Sequence, residues 1–242
     1  MRQYLIDKTQ RESLIYSLLI ELKYNTAKLA NTKNRFLRKR IISDYLASHP
    51  VRKIHFGAGS GKFGEASTTQ LSTFLNTDIL GETPIDITKP LPFADQSIDL
   101  IFSSHLIEHI YHRHFKRFLA DSFRILKKGG EQIIATPSLE KLCRALYGEN
   151  DSIKRTIYET HIGKITGKSL TPAMIINGMT HINYGHKYLY DFETIRILAA
   201  DVGYKSVSRV ESTQIADEEV RSFLFHKGPN YEAETEIFLL VK

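Results

Sequence analysis

From Val51 onward the chain alternates short apolar runs with stretches of helical periodicity. The apolar runs predict strands over 52–57, 74–78, 98–103, 131–136, 205–211 and 235–241. Helical spacing lies between several of them, as at 113–127 and 191–202. Strands alternating with helices build a mostly parallel sheet covered by helices, so the pattern predicts an α/β fold. Residues 137–190 interrupt the alternation with helical pieces and loops rich in His, Tyr and Gly, the texture of an insertion that covers a site. Ahead of Val51 the pattern is helical. Leu14, Ile15, Leu18, Leu19 and Leu22 form an apolar stripe within 11–24. A second helix is predicted over 33–47, ending near Ser48-His49-Pro50 because proline disfavours helix in the residue before it. Residues 1–50 therefore read as a helical cap, and 51–242 as the main domain.

Composition narrows the class of protein. With 42% hydrophobic and 25% charged residues, 242 residues can bury a full core. The single cysteine, Cys143, excludes an internal disulfide framework and fits a reducing compartment. The apolar stretch at 14–20 is closed by Glu21 and Lys23 and is too short to span a bilayer. No secretory leader is expected, and the cytoplasm is the expected location. The net charge of +6 is unevenly placed. Residues 1–50 hold ten Lys/Arg against four Asp/Glu, which leaves 23 of each sign in the rest of the chain. The excess, densest at Lys33, Arg35, Arg38, Lys39 and Arg40, suits either a solvated helix face or peripheral contact with an acidic surface.

The densest chemical signal is the stretch V-R-K-I-H-F-G-A-G-S-G-K-F-G at 51–64. A glycine cluster behind a strand lets backbone approach a ligand closely. A triphosphate loop is excluded by spacing, because Phe56 stands where its first glycine belongs and Phe63 where its hydroxyl belongs. Gly59-x-Gly61-x-x-Gly64 matches a dinucleotide fingerprint, with Asp78 where a ribose-binding acid would fall. Yet the strand runs into Gly57, two residues before that motif, and from Gly57 the pattern is G-x-G-x-G. A carboxylate at the end of the second strand suits the ribose of NAD and of S-adenosylmethionine alike. The loop alone leaves both open.

The downstream series separates them. D-I-T-K-P-L-P-F-A-D at 86–95 is followed by I-D-L-I-F-S-S-H at 98–105, H-L-I-E-H at 105–109 and R-I-L-K-K-G-G at 124–130. In this order they resemble the class I S-adenosylmethionine-dependent methyltransferases, closest to the type 11 methyltransferase group. The likeness is close over 51–137 and looser through G-H-K-Y-L-Y-D at 185–191. It implies a Rossmann-like, doubly wound, mostly parallel seven-stranded sheet with one antiparallel strand near 235–241. It also implies roles for particular residues. Gly57, Gly59 and Gly61 would form the turn beneath the methionine part of the cofactor. Asp78 would take the ribose hydroxyls, and Asp86 with Ile87 would meet the adenine. Ser103 and Ser104 would lie near the reactive sulfur. Lys128 replaces the proline usual in the turn at 126–130, a structural change.

Methyl transfer to a hydroxyl needs a base for its proton, and histidine titrates in the useful range. His105 is the leading candidate, followed by His109 and His186, with Glu108 orienting a neighbouring histidine or seating the substrate. H-L-I-E-H also matches an inverted zinc-peptidase string. That enzyme needs a third ligand and a mid-helix position, so no metal is expected here. The expected reaction moves a methyl group from S-adenosylmethionine to a small-molecule or glycan-type acceptor, at oxygen. Nucleic acid is not an expected partner, since the site regions are not basic. A nucleic-acid methyltransferase and a non-catalytic cofactor-binding protein are the alternatives.

Overall fold

The computed structural model describes residues 32–59, 70–148, 171–182 and 185–242, together with Leu22, Thr26 and Ile157. The predicted stripe at 11–24, apart from Leu22, lies outside these residues, as do Gly61, Gly64 and Tyr184. Six strands form one sheet: β1 (Lys53–Phe56), β2 (Phe74–Thr77), β3 (Ile98–Ser104), β4 (Leu126–Pro137), β5 (Ser206–Arg209) and β6 (Thr235–Val241), in the order β2-β1-β3-β4-β6-β5. The first four pair in parallel, and β6 runs antiparallel to both β4 and β5.

The expected count of seven strands is therefore corrected to six among the described residues. Between β2 and β3 the chain makes turns and only an isolated bridge, Asp78 to Pro84. Pro84, Pro90 and Pro92 have no amide hydrogen to give to a ladder, which disfavours a strand there.

Helices cover the sheet unequally. On one face lie α1 (Thr32–Ser48), α2 (His112–Ile125) and α5 (Phe192–Val202). They pack Ile42, Phe115, Phe118, Ile195 and Leu198 onto Ile54, Phe56, Leu75, Ile101, Ile134 and Phe238 of the strands. The other face, with Leu100, Phe102, Ile133 and Ile237, meets Val220 and Leu224 of α6 (Glu218–Phe225). A register shift between Ile98 and Leu100 lets Ile98 and Ile101, three residues apart, join one core. The insertion contributes α3 (Leu139–Tyr147) and α4 (Pro172–Asn177), whose Leu142, Leu146 and Ile175 form a separate small core with Met179 and Leu189. A last short helix, α7 (Pro229–Glu234), leads into β6.

Local chemistry sets several boundaries. Asp191 caps α5 by accepting from the Thr194 amide at 2.8 Å, and Gly203 ends it in the left-handed conformation. Among the described residues, no helix is long and apolar enough to cross a membrane.

Tyr45 ties α1 to the sheet. Its hydroxyl accepts from the Lys53 amide at 2.8 Å and faces the carbonyls of Lys53 and Thr73 at 2.7 and 3.0 Å. It thus bridges the entries of β1 and β2. Tyr45→Phe should destabilise the protein by about 1–2 kcal/mol, since a lost hydrogen bond also strands the Lys53 amide. Urea unfolding of the two proteins measures it, and an unchanged midpoint would contradict the tie.

Candidate active site

The site forms where the strand order reverses. β1 has β2 on one side and β3 on the other, so their carboxyl ends diverge and leave a crevice, the usual ligand position in such sheets. Directly after β1 the amides of Gly57 and Ala58 both donate to the Thr77 carbonyl, at 2.9 and 3.0 Å. Gly57 and Gly59 have φ of +75° and +79°, a region that side chains disfavour. A Cβ on Gly57 would also come within 2.9 Å of Leu106. The Gly59 amide donates to the Asp78 carboxylate at 3.3 Å, and the Leu80 amide donates to its other oxygen at 3.1 Å.

Two cavities meet at Gly59. One, of about 290 Å³, is lined by His55, Gly57, Ala58, Gly59, Ser104 and His105, with Phe223, Lys227 and Tyr231 closing it. The other, of about 180 Å³, lies between Gly59, Asp78, Gly81 and Thr83. A glycine turn with no room for a side chain, a carboxylate at its edge and a cavity on either side fit an elongated cofactor with a ribose in its middle. Gly57, Gly59 and Asp78 are the residues that would hold it.

The predicted residues divide. Gly57, Gly59, Asp78, Ser104 and His105 come together around these cavities. Ser103 is buried and its hydroxyl has no hydrogen-bond partner. Asp86 accepts from the amide and hydroxyl of Thr88 at 3.0 and 2.6 Å, and Ile87 is buried; neither lines the two cavities. His109 and His186 lie together beyond Glu108, their rings 4.8 Å apart.

His105 follows β3 in a left-handed turn (φ +49°) held by its amide donating to the Ala135 carbonyl at 2.8 Å. A non-glycine residue in that region is uncommon and marks a conformation set by its surroundings. Its Nε2 lies 2.8 Å from the Thr235 hydroxyl, and its Nδ1 lies 3.6 Å from Glu108 Oε1. The H-L-I-E-H string is thus a bend after β3 and a short 3-10 turn over Ile107–His109, not a helix carrying two histidines on one face.

Enclosure controls protonation here. Burial lowers His55 to about 4, with a smaller opposing effect from its contact with Asn76. It lowers His105 to about 4 as well, although that side chain keeps 30% of its exposure at the cavity. Both imidazoles are neutral at pH 7. Glu108 is fully buried, and burial raises its carboxyl to about 8.

Sequence reading missed His55, Phe223, Lys227, Tyr231 and Thr235. His55 carried a signal, being a polar residue in the middle of a buried strand. Phe223, Lys227 and Tyr231 are divided among α6, the turn before Gly228 and α7, so no local pattern links them. Thr235 gave none.

Residues 80–134 match the profile of a family described as a methyltransferase domain. The match runs from just past Asp78, through β3 and the His105 turn, to the middle of β4. Together with the ordered motifs, this match supports a class I S-adenosylmethionine-dependent methyltransferase. The chain is similar in structure to a methyltransferase from Archaeoglobus fulgidus, at 19% identity and TM-score 0.47, covering 94% of this chain and 100% of that one. A methyltransferase from Mesorhizobium loti is similar at 15% identity and TM-score 0.46, covering 83% and 96%. A phosphoethanolamine N-methyltransferase from Haemonchus contortus gives 12% and 0.43, covering 87% and 52%. No curated protein matches the chain by sequence.

Buried neutral His55 links folding to pH. In the unfolded chain it gains a proton near pH 6.5; in the native state it does so only near pH 4. Between these values the unfolded state binds more protons, so stability falls as pH drops through the window. From pH 7 to pH 5 this should remove about 2 kcal/mol. Urea unfolding of wild type and His55→Gln at both values tests it, and an equal pH loss in both proteins would assign the effect elsewhere.

Proposed function

We propose that this methyltransferase acts on a hydroxyl of a small or glycan-type acceptor, with His105 as the base. The observation that carries the reading is the position of His105, which borders the Gly57–Gly59 cavity as a neutral imidazole. When bound, S-adenosylmethionine supplies a methyl group made electrophilic by its positive sulfur. The protein's task is then to align the acceptor oxygen and remove its proton. Donation from Nε2–H to the Thr235 hydroxyl leaves the Nδ1 lone pair to receive that proton. The Glu108 carboxyl, 3.6 Å away, offsets the resulting positive charge once ionised.

The cavity supports a small or ring-shaped acceptor. His55, Phe223 and Tyr231 offer aromatic surface, while Ser104, bonded to the Tyr231 hydroxyl at 2.9 Å, supplies a polar edge. Among the described residues, Lys227 is the one lysine or arginine lining the cavity, too little for a nucleic-acid backbone. In this reading Gly61, Asp86, Ile87 and Ser103 complete the cofactor site, His109 and His186 support the acceptor side, and residues 1–50 cap the domain.

Two measurements test the reading. Calorimetry should show S-adenosylmethionine binding that Asp78→Ala weakens by about 1–3 kcal/mol, the scale of hydrogen bonds to a carboxylate. Binding of NAD in its place would overturn the cofactor assignment. With labelled cofactor and panels of hydroxyl and amine acceptors, hydroxyl methylation is expected. His105→Gln should lower kcat by about 10²–10⁴-fold with cofactor affinity kept. Full activity of that variant would remove His105 from the chemistry, and methylation confined to amines would overturn the acceptor class.

A further inference from the structure

We infer that Glu108, His109 and His186 form a binding site for a divalent transition-metal ion beside the methyl-transfer cavity. One ligand atom from each of these three residues lies within 4.8 Å of the other two. Glu108 sits on the 3-10 turn after β3, and His186 arrives from the far end of the insertion. The backbone fixes this meeting: the amides of Lys187 and Tyr188 donate to the Glu108 carbonyl at 2.6 and 3.3 Å. Chain segments distant in sequence are thus clamped at the position where their donor atoms converge.

The carboxylate gives an independent reason to expect a ligand. Glu108 is fully buried, yet only one of its oxygens is satisfied, by the Thr136 hydroxyl at 3.0 Å. The other, Oε1, is buried without a hydrogen-bond partner, and His105 at 3.6 Å is too far to serve. Buried carboxylate oxygens are costly unless paired or bound to a metal. The outer contacts also have the form of a metal site. Thr136 orients the carboxylate, and the Gly185 backbone hydrogen-bonds His109.

Ligand chemistry selects the ion. Two imidazoles and one carboxylate suit zinc, and also iron, cobalt or manganese, whereas magnesium and calcium prefer oxygen alone. Bonds of about 2.0–2.2 Å place tetrahedral ligand atoms about 3.4 Å apart, so the three groups would close by roughly 1 Å on binding. His109, the exposed member, has the freedom to do so. Three protein ligands leave a further position for water or an acceptor oxygen. The metal-free expectation concerned H-L-I-E-H as a zinc-peptidase string with His105 and His109 as ligands; the cluster here is a different set, Glu108, His109 and His186.

The test uses the full chain stripped with a chelator and dialysed free of it. Zinc, titrated in competition with a chromophoric chelator, should bind at one ion per chain. Glu108→Gln and His186→Ala should each weaken it by more than about 100-fold, since outer contacts alone are worth 10–100-fold. His114→Ala, outside the cluster, should leave it unchanged. Cobalt added to wild type should give the visible absorption of a four- or five-coordinate site. Binding of S-adenosylhomocysteine, measured on the same variants, shows that they are folded and keeps this result separate from the fate of the proposed reaction. Absence of zinc binding by wild type, undiminished binding by both variants, or a cobalt spectrum like that of the hydrated ion would each overturn the site.

Discussion

The structure depends on how β1 ends between its two parallel neighbours. Its last residues pair with Thr77 on one side and Ser103 on the other, and the chain then turns by giving two successive amides to one carbonyl, that of Thr77. That double donation requires the left-handed backbone at Gly57, where Leu106 leaves no space for a Cβ. The two candidate cofactor cavities are placed by this turn. It sets the floor of both cavities, brings Asp78 to the Gly59 amide and presents β3's end to the same opening.

The second organising feature is a buried polar seam along the far wall of that opening. Thr136, Glu108, His105 and Thr235 belong to β4, the turn after β3, and the start of β6; Thr136 bonds Glu108, Thr235 bonds His105, and the two pairs face each other across 3.6 Å. Polar groups taken out of water must satisfy one another, so such a seam resists rearrangement. It holds His105 in a backbone conformation that few residues adopt alone. Between the two pairs lies Glu108 Oε1, the atom the seam leaves unsatisfied.

Charge separates into two roles. The basic run of α1 is partly structural: Arg38 donates to the Pro84 carbonyl at 3.0 Å, anchoring the helix to the turn beyond Asp78, while Arg40 makes only an exposed pair with Asp44. Inside the crevice, Lys227 lies over the Phe223 ring at 4.3 Å, and burial lowers its pKa. The charge of α1 and the enclosed charge at the site thus have different surroundings.

Much of this was legible in the residues. Apolar periodicity located each of the six strands, because burial of alternate faces is a local property of the chain. Gly57 could be found as the turn residue, since the strand stops there, and Asp191 as a cap, since capping involves only the next few amides. Where the family pattern implies seven strands, six pair among the described residues, and the prolines between β2 and β3 disfavour a further ladder there. Contacts across the fold could not be read. That Tyr231 and Thr235 face His105, or that His186 returns to Glu108, follows from strand order and from a clamp between distant backbone groups. By itself the sequence determined the α/β architecture, the glycine turn and the order of the motifs, because each rests on neighbours along the chain. Tertiary structure alone decided which polar groups are buried together, and hence their protonation and their unsatisfied valence, because burial and distance belong to the packed molecule.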